Sequence, residues 1–148
     1  MKYTSGRIFQ PSLFIVLSIL FAIPVFAQNS DIVVIIDKVR SNKGVVRITL
    51  FTKEVNYMKS FSIGKIVNAK TGSVSATFEN MPAGEYAITA THDENNNGKL
   101  DSNFFGIPKE GIGFSNDASA TFGPPSWGKA KFKLSQDSKS LRITLKYF

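Results

Sequence analysis

The chain contains no cysteine. That excludes a disulfide framework, a thiolate zinc site, a thiol nucleophile and a lipid-modified N-terminal cysteine. It contains one histidine, His92. A Ser-His-Asp triad has only that residue to use, and a multi-histidine metal site cannot assemble within one chain. No serine sits in a G-x-S-x-G setting, so the nucleophile elbow of the common hydrolases is missing. No segment of helical length carries an apolar stripe of period 3.6, and there is no internal repeat, low-complexity segment or linker. Helical bundles, solenoids and tethered multidomain arrangements are thereby disfavoured.

What is present is a 148-residue chain, 43% hydrophobic and 20% charged, the composition and length of one folded domain. Its start reads as a signal peptide. Lys2 and Arg7 form a positive n-region, Ser12 to Phe26 is an uncharged stretch of 15 residues rich in Leu, Ile, Phe and Val, and Val25 and Ala27 place small residues at −3 and −1. Cleavage before Gln28 removes 27 of the 148 residues and leaves 121. A membrane anchor would need about 20 apolar residues and would accommodate Pro24 badly. The expected division is therefore 1–27 signal peptide and 28–148 one domain, secreted or periplasmic in the cell envelope.

Residues 28–148 alternate with period two. Val46, Ile48 and Leu50 alternate with Arg47 and Thr49; Val74, Ala76 and Phe78 with Ser75 and Thr77; Tyr86, Ile88 and Ala90 with Thr89 and Thr91. Ala130, Phe132 and Leu134 alternate with Lys131 and Lys133, and Leu141, Ile143, Leu145 and Tyr147 with Arg142, Thr144 and Lys146. Such segments are half-buried strands. Ile32 to Ile36 is apolar throughout and reads as a strand covered on both faces; a short strand is expected near Phe61 to Asn68. Asn42-Lys43-Gly44 and Ser135 to Ser140 read as hairpin turns, and Met81-Pro82-Ala83-Gly84 as a turn between strands. About seven short strands at regular spacing predict an all-β fold, a single antiparallel β-sandwich with one long ordered loop. A membrane barrel would need longer strands with a continuous apolar outer band.

One motif carries chemistry. Asp93-Glu94-Asn95-Asn96-Asn97-Gly98-Lys99-Leu100-Asp101 places oxygen-bearing side chains at positions 1, 3, 5 and 9 of a calcium-type loop, with glycine at position 6 and the Lys99 carbonyl available at position 7. Alternate residues of such a turn converge their oxygens on one point, which suits a hard cation. The motif lacks the bidentate glutamate of an EF-hand, because position 12 is Phe104. Glu110, the nearest downstream carboxylate, is the candidate for the missing ligand. With so few carboxylates, Ca2+ binding is expected to be weak, at about 10⁻⁴–10⁻³ M. The alternative is a polar turn that needs no metal.

Between this motif and the next patterned segment lie the 27 residues from Ser102 to Gly128, with five glycines, three prolines and the aromatics Phe104, Phe105, Phe114, Phe122 and Trp127. Five aromatics argue for an ordered loop packed on the sandwich. Phe104 and Phe114 are expected in the core; Trp127 either covers an open sheet end or lines a ligand groove. Charge is also uneven. Residues 129–148 hold six basic residues against Asp137 alone. If Ser135 to Ser140 joins a hairpin, Lys129, Lys131, Lys133, Arg142 and Lys146 share its outer face. That face would suit an anionic glycan, a lipid head group or an envelope protein, or would merely discourage edge-to-edge association. Nucleic acid is disfavoured, because no aromatic interleaves with the lysines.

His92-Asp93-Glu94-Asn95, Gly98-Lys99-Leu100-Asp101, Gly106-Ile107-Pro108-Lys109-Glu110-Gly111, Gly113-Phe114-Ser115-Asn116 and Phe122-Gly123-Pro124-Pro125-Ser126 together resemble an uncharacterised family of exported bacterial domains, domain of unknown function 2141. Phe78 to Tyr86 is similar to the strand-turn-strand of prealbumin-like and Cna-B-like sandwiches. The resemblance implies a signal peptide and a small immunoglobulin- or prealbumin-like β-sandwich, and no known reaction. The functional expectation is an exported binding module whose calcium-like loop shapes one end. A structural or adhesive envelope protein is the alternative, and a hydrolase using His92 a distant third.

Overall fold

The computed structural model describes residues 29–60, 63–120 and 123–148. The expected signal peptide, its cleavage site, and Phe61 and Phe122 lie outside the described residues.

Among the described residues eight strands form two sheets. In chain order they are β1 (Ser30–Val39), β2 (Val45–Phe51), β3 (Ile63–Asn68), β4 (Gly72–Met81), β5 (Gly84–Asp93), β6 (Gly111–Phe114), β7 (Phe132–Leu134) and β8 (Lys139–Thr144). One sheet runs β4-β1-β8; the other runs β3-β2-β5-β6, with β7 also paired to β5. The expected alternation places the inner faces correctly. Ile32, Val34 and Ile36 of β1, Phe78 of β4 and Ile143 of β8 meet Val46, Ile48 and Leu50 of β2 and Ile88 and Ala90 of β5 in one buried cluster. Two sheets bury this layer between them, as in a sandwich.

The sequence pattern predicts purely antiparallel sheets, and the structure departs from that. β8 pairs parallel to β1, from Ile32 opposite Lys139 to Asp37 opposite Thr144. A parallel partner cannot arrive by a tight hairpin. Accordingly Ser135 to Ser140 is not a hairpin: β7 pairs with β5 in one sheet and β8 with β1 in the other. Asn42 to Gly44 likewise carries the chain between sheets and does not join paired neighbours. β1 is covered fully on one face only, since Val33 and Ile35 are partly exposed.

β5 departs in the opposite sense. Thr89, expected to face solvent, is buried, and so is Ala87 on the same face. A second apolar cluster of Phe51, Tyr57, Ala87, Trp127 and Ala130 lies over that outer face. It is supplied by two insertions, a 3-10 turn at Glu54–Asn56 and a short helix, α1 (Trp127–Ala130). The small Ala87 side chain leaves room for these rings. Lys129 and Ala130 therefore belong to a helical turn, not a strand, and the stretch Ser102 to Gly128 contains β6 and a 3-10 turn (Ser115–Asp117) as well as this helix. Phe114 is buried, as expected, but Phe104 is fully exposed and fills no core. Among the described residues no helix is long and apolar enough to cross a membrane.

Candidate functional site

β5 delivers Asp93 to one end of the sandwich, where the chain turns at once into the Asp93–Asp101 loop. The crossing between β1 and β2 presses on the start of this loop. Gly44 has φ +66°, and a Cβ there would stand 1.9 Å from the carbonyl oxygen of Asp93. Only glycine allows that approach.

The Asp93 carboxylate is buried and organises the turn. Its Oδ1 accepts from Asn97 N at 3.0 Å, and its Oδ2 accepts from Gly98 N at 2.9 Å and from Arg47 Nε at 2.7 Å. Burial pushes the carboxyl up, but the Arg47 hydrogen bond and the two backbone N–H groups outweigh it and hold the group below its ordinary value. Two further turns follow the same scheme. Asn95 Oδ1 accepts from Asn97 N at 3.0 Å, and Asn97 Oδ1 from Lys99 N at 2.8 Å. The amides of these two asparagines donate to the Asp101 carboxylate, Asn95 Nδ2 at 2.6 Å and Asn97 Nδ2 at 3.0 and 3.1 Å. Asp93, Asn95, Asn97 and Asp101 are thus gathered in one turn, with the Lys99 backbone among them.

Glu110 reaches the same turn in a different role from the one expected. Its Oε1 accepts from Glu94 N at 3.0 Å and its Oε2 from Asp101 N at 3.1 Å. Buried and spent on two backbone donors, it ties the two ends of the loop together from behind. Among the described residues no three His, Asp or Glu side chains converge as a carboxylate-rich metal site would require.

Two partners of the loop had no signal in the motif. Arg47 comes from the outer face of β2, and Arg40 from just after β1. Arg40 Nε donates to Glu94 Oε1 at 3.0 Å, its Nη2 reaches the same carboxylate, and Ser41 Oγ donates to Glu94 Oε1 at 2.8 Å. The Arg40 contact leads in bringing the Glu94 carboxyl down to about 2. Arg40 also lies over the Tyr147 ring, 4.4 Å from its centroid.

His92, on which the hydrolase alternative rests, and Ser115 are both enclosed. His92 Nε2 meets the Lys43 carbonyl and Nδ1 the Tyr147 hydroxyl, each at 2.9 Å. Ser115 Oγ donates to the Ala130 carbonyl and accepts from Ile88 N at 2.9 Å, which fastens the segment before β7 onto β5.

The basic stripe is dispersed. Lys131 Nζ pairs with Glu85 at 2.9 Å beside β5, and Arg142 Nη1 pairs with Asp37 at 2.7 Å in the other sheet. Lys129 is on α1, Lys133 lies opposite Glu85, and Lys146 bridges to Ile112. They share no common face, because β7 and β8 belong to different sheets. Trp127, expected to cover a sheet end or line a groove, is buried edge-on against Tyr57, with ring centroids 5.7 Å apart.

A different feature opens beside the loop. An apolar cleft of about 890 Å³ lies between the segment 100–108 and the segment around Pro124, with Ile112, Phe114 and Phe148 among its lining residues. Sequence patterning could not show it, because its walls combine β6 with loops and the residue Phe148, which are far apart in the chain.

Residues 34–142 match the model of a bacterial family described as "Uncharacterized protein conserved in bacteria (DUF2141)". No curated protein and no solved structure matches the chain.

Proposed function

This chain belongs to that uncharacterized bacterial family, and we propose that it is an exported β-sandwich binding module of the cell envelope. Its ligand surface is the end of the sandwich that the Asp93–Asp101 loop braces. The observation that carries this reading is the apolar cleft at that end, set beside a turn whose every carboxylate is hydrogen-bonded. An apolar concavity on a rigid support is the usual form of a small-ligand or peptide site.

The loop is also proposed to take up Ca2+ weakly. Its donors are all oxygens: the side chains of Asp93, Asn95, Asn97 and Asp101 and the Lys99 carbonyl. That chemistry fits a hard cation. A cation would displace the Asn95 and Asn97 N–H groups from the Asp101 carboxylate and use the second lone pairs of the two amide oxygens, which keep their backbone N–H bonds. Water would complete the six to eight ligands. A rival reading, a purely structural envelope protein, draws on the Arg47–Asp93 ion pair, which gives the first loop carboxylate a cationic partner without metal.

Calcium titration separates the two. Calcium at about ten times its dissociation constant should stabilise the protein by about 1.4 kcal/mol, seen as a raised melting temperature that Asp101→Ala abolishes. Binding of a fluorescent naphthalene sulfonate probe to the cleft should tighten in parallel. Superimposable melting curves with calcium and with chelator would remove the metal, and failure of the probe to bind native protein would remove the cleft.

A further inference from the structure

One wall of the cleft, which includes Leu100, Phe105 and Ile107, carries at its tip a ring that the cleft does not use, Phe104. Phe104 and Phe105 are adjacent, 97% and 83% exposed, and packed edge-to-face on each other with centroids 5.5 Å apart. They do not sit on a loose loop. Asn103 Oδ1 accepts from Phe105 N at 2.9 Å and from Ile107 N at 3.0 Å, and Asn103 N donates to the Ile107 carbonyl at 2.8 Å. Gly106 supplies the left-handed residue that the turn needs, with φ +76°. Below the tip, Ser102 pairs with Pro108, and Lys109 N donates to the Asp101 carbonyl at 2.8 Å. The result is a hydrogen-bonded finger that holds two phenyl rings in water, with exposed Leu100 and Ile107 beside them.

The charge around this finger is segregated. Of the four carboxylates of the region, Asp93 is paired with Arg47, Glu94 with Arg40, and Glu110 is buried on two backbone N–H groups, while Asp101 is half-exposed and held by two asparagine amides. Lys99 and Lys109, one at the foot of each leg, are exposed, and neither is ion-paired among the described residues. An apolar tip above a cationic base matches the layering of a bilayer surface, with acyl chains beneath anionic head groups. Lys109 is four positions from Phe105, at most about 13 Å of chain and less through the Gly106 turn, and the flexible lysine stems let the ammonium groups stay at head-group level while the rings enter below it. The finger is convex. A protein partner would have to supply a pocket for each ring, whereas lipid supplies one wherever the finger enters.

We infer that the Leu100–Lys109 finger inserts Phe104 and Phe105 into an anionic lipid surface. The inference rests on the reading of this end as the binding surface, and it names a lipid bilayer as the partner.

The absence of cysteine allows a single reporter. An environment-sensitive fluorophore is attached to Phe104→Cys in the full chain and, for comparison, to Ala83→Cys, which precedes the far end of β5. With vesicles of phosphatidylcholine containing phosphatidylglycerol, the label at position 104 should shift to the blue and the label at position 83 should not. Lys99→Glu with Lys109→Glu should weaken the vesicle response at least about tenfold, as should added salt, and Phe105→Ser should weaken it comparably. No response at position 104, or an equal response to phosphatidylcholine alone, overturns the inference. So does a shift that grows with protein concentration without vesicles, which would make the partner a second copy. A probe that still enters the cleft while vesicles leave position 104 unchanged would sink the lipid inference alone; the reverse result would sink the cleft and keep the lipid.

Discussion

Asp93 shows at the scale of one residue what the motif could and could not say. Its place at the head of a D-x-N-x-N-G turn was legible, because side chains two residues apart in a tight turn must bend their oxygens back over the same backbone. Arg47, 46 residues earlier, was not, since it looked like any solvent-facing position on a half-buried strand. Glu94 makes the same point and can be tested. Its folded-state pKa lies near 2 against an ordinary 4.5. Its contribution is therefore complete above about pH 4.5 and lost as pH falls toward 2. The full shift would correspond to about 3 kcal/mol, and solvent around the half-exposed Arg40 reduces this to about 1–2 kcal/mol. Urea denaturation from pH 7 to pH 2.5 should show that loss in the wild type and a shallower one in Glu94→Gln. Equal slopes would assign the acid sensitivity to other carboxylates.

Elements fared unevenly, and α1 is the instructive failure. Alternation predicts that Lys129 and Ala130 open a strand, but the buried residues here are Trp127 and Ala130, three apart, the spacing of a helical turn. The decision came from Trp127 packing on Tyr57, which packs in turn on Phe51 across the outer face of β5. Trp127→Ala should cost about 3–5 kcal/mol through lost burial and a cavity, whereas Lys129→Glu on the exposed side of the same turn should stay within about 0.5 kcal/mol. Equilibrium unfolding measures both, and a near-neutral Trp127→Ala would mean that the second cluster is ornamental. β7 supports its register in the expected way: Phe132 and Leu134 are buried and Lys133 is exposed. What patterning could not convey is which sheet receives β7, because inward and outward alternation is identical in either.

Across the whole molecule the decisive contact is the parallel pairing of β8 with β1, which joins Ile32 to Lys139 over 107 positions. Contacts of such separation must form against a large loop-closure entropy and mark slow folders. They also make the C-terminal strand indispensable. A chain ending at Ser138 loses Ile143 and Leu145, both fully buried, and strips one edge from β1. It should show no cooperative thermal transition, and a sharp transition near the wild-type temperature would show the five-stranded sheet to be self-sufficient. Two kinds of information therefore divide this protein. The sequence by itself determined the all-β class, the inward residues of most strands, the Asp93–Asp101 turn and the family, since all of these follow from local spacing or short motifs. Tertiary structure alone decided the parallel pairing, the split of β7 and β8 between sheets, the dispersal of the basic residues, the arginine partners of Asp93 and Glu94, and the exposure of Phe104. Each of these depends on which distant surface a segment meets, and period-two alternation is blind to that because it records only that one face is covered.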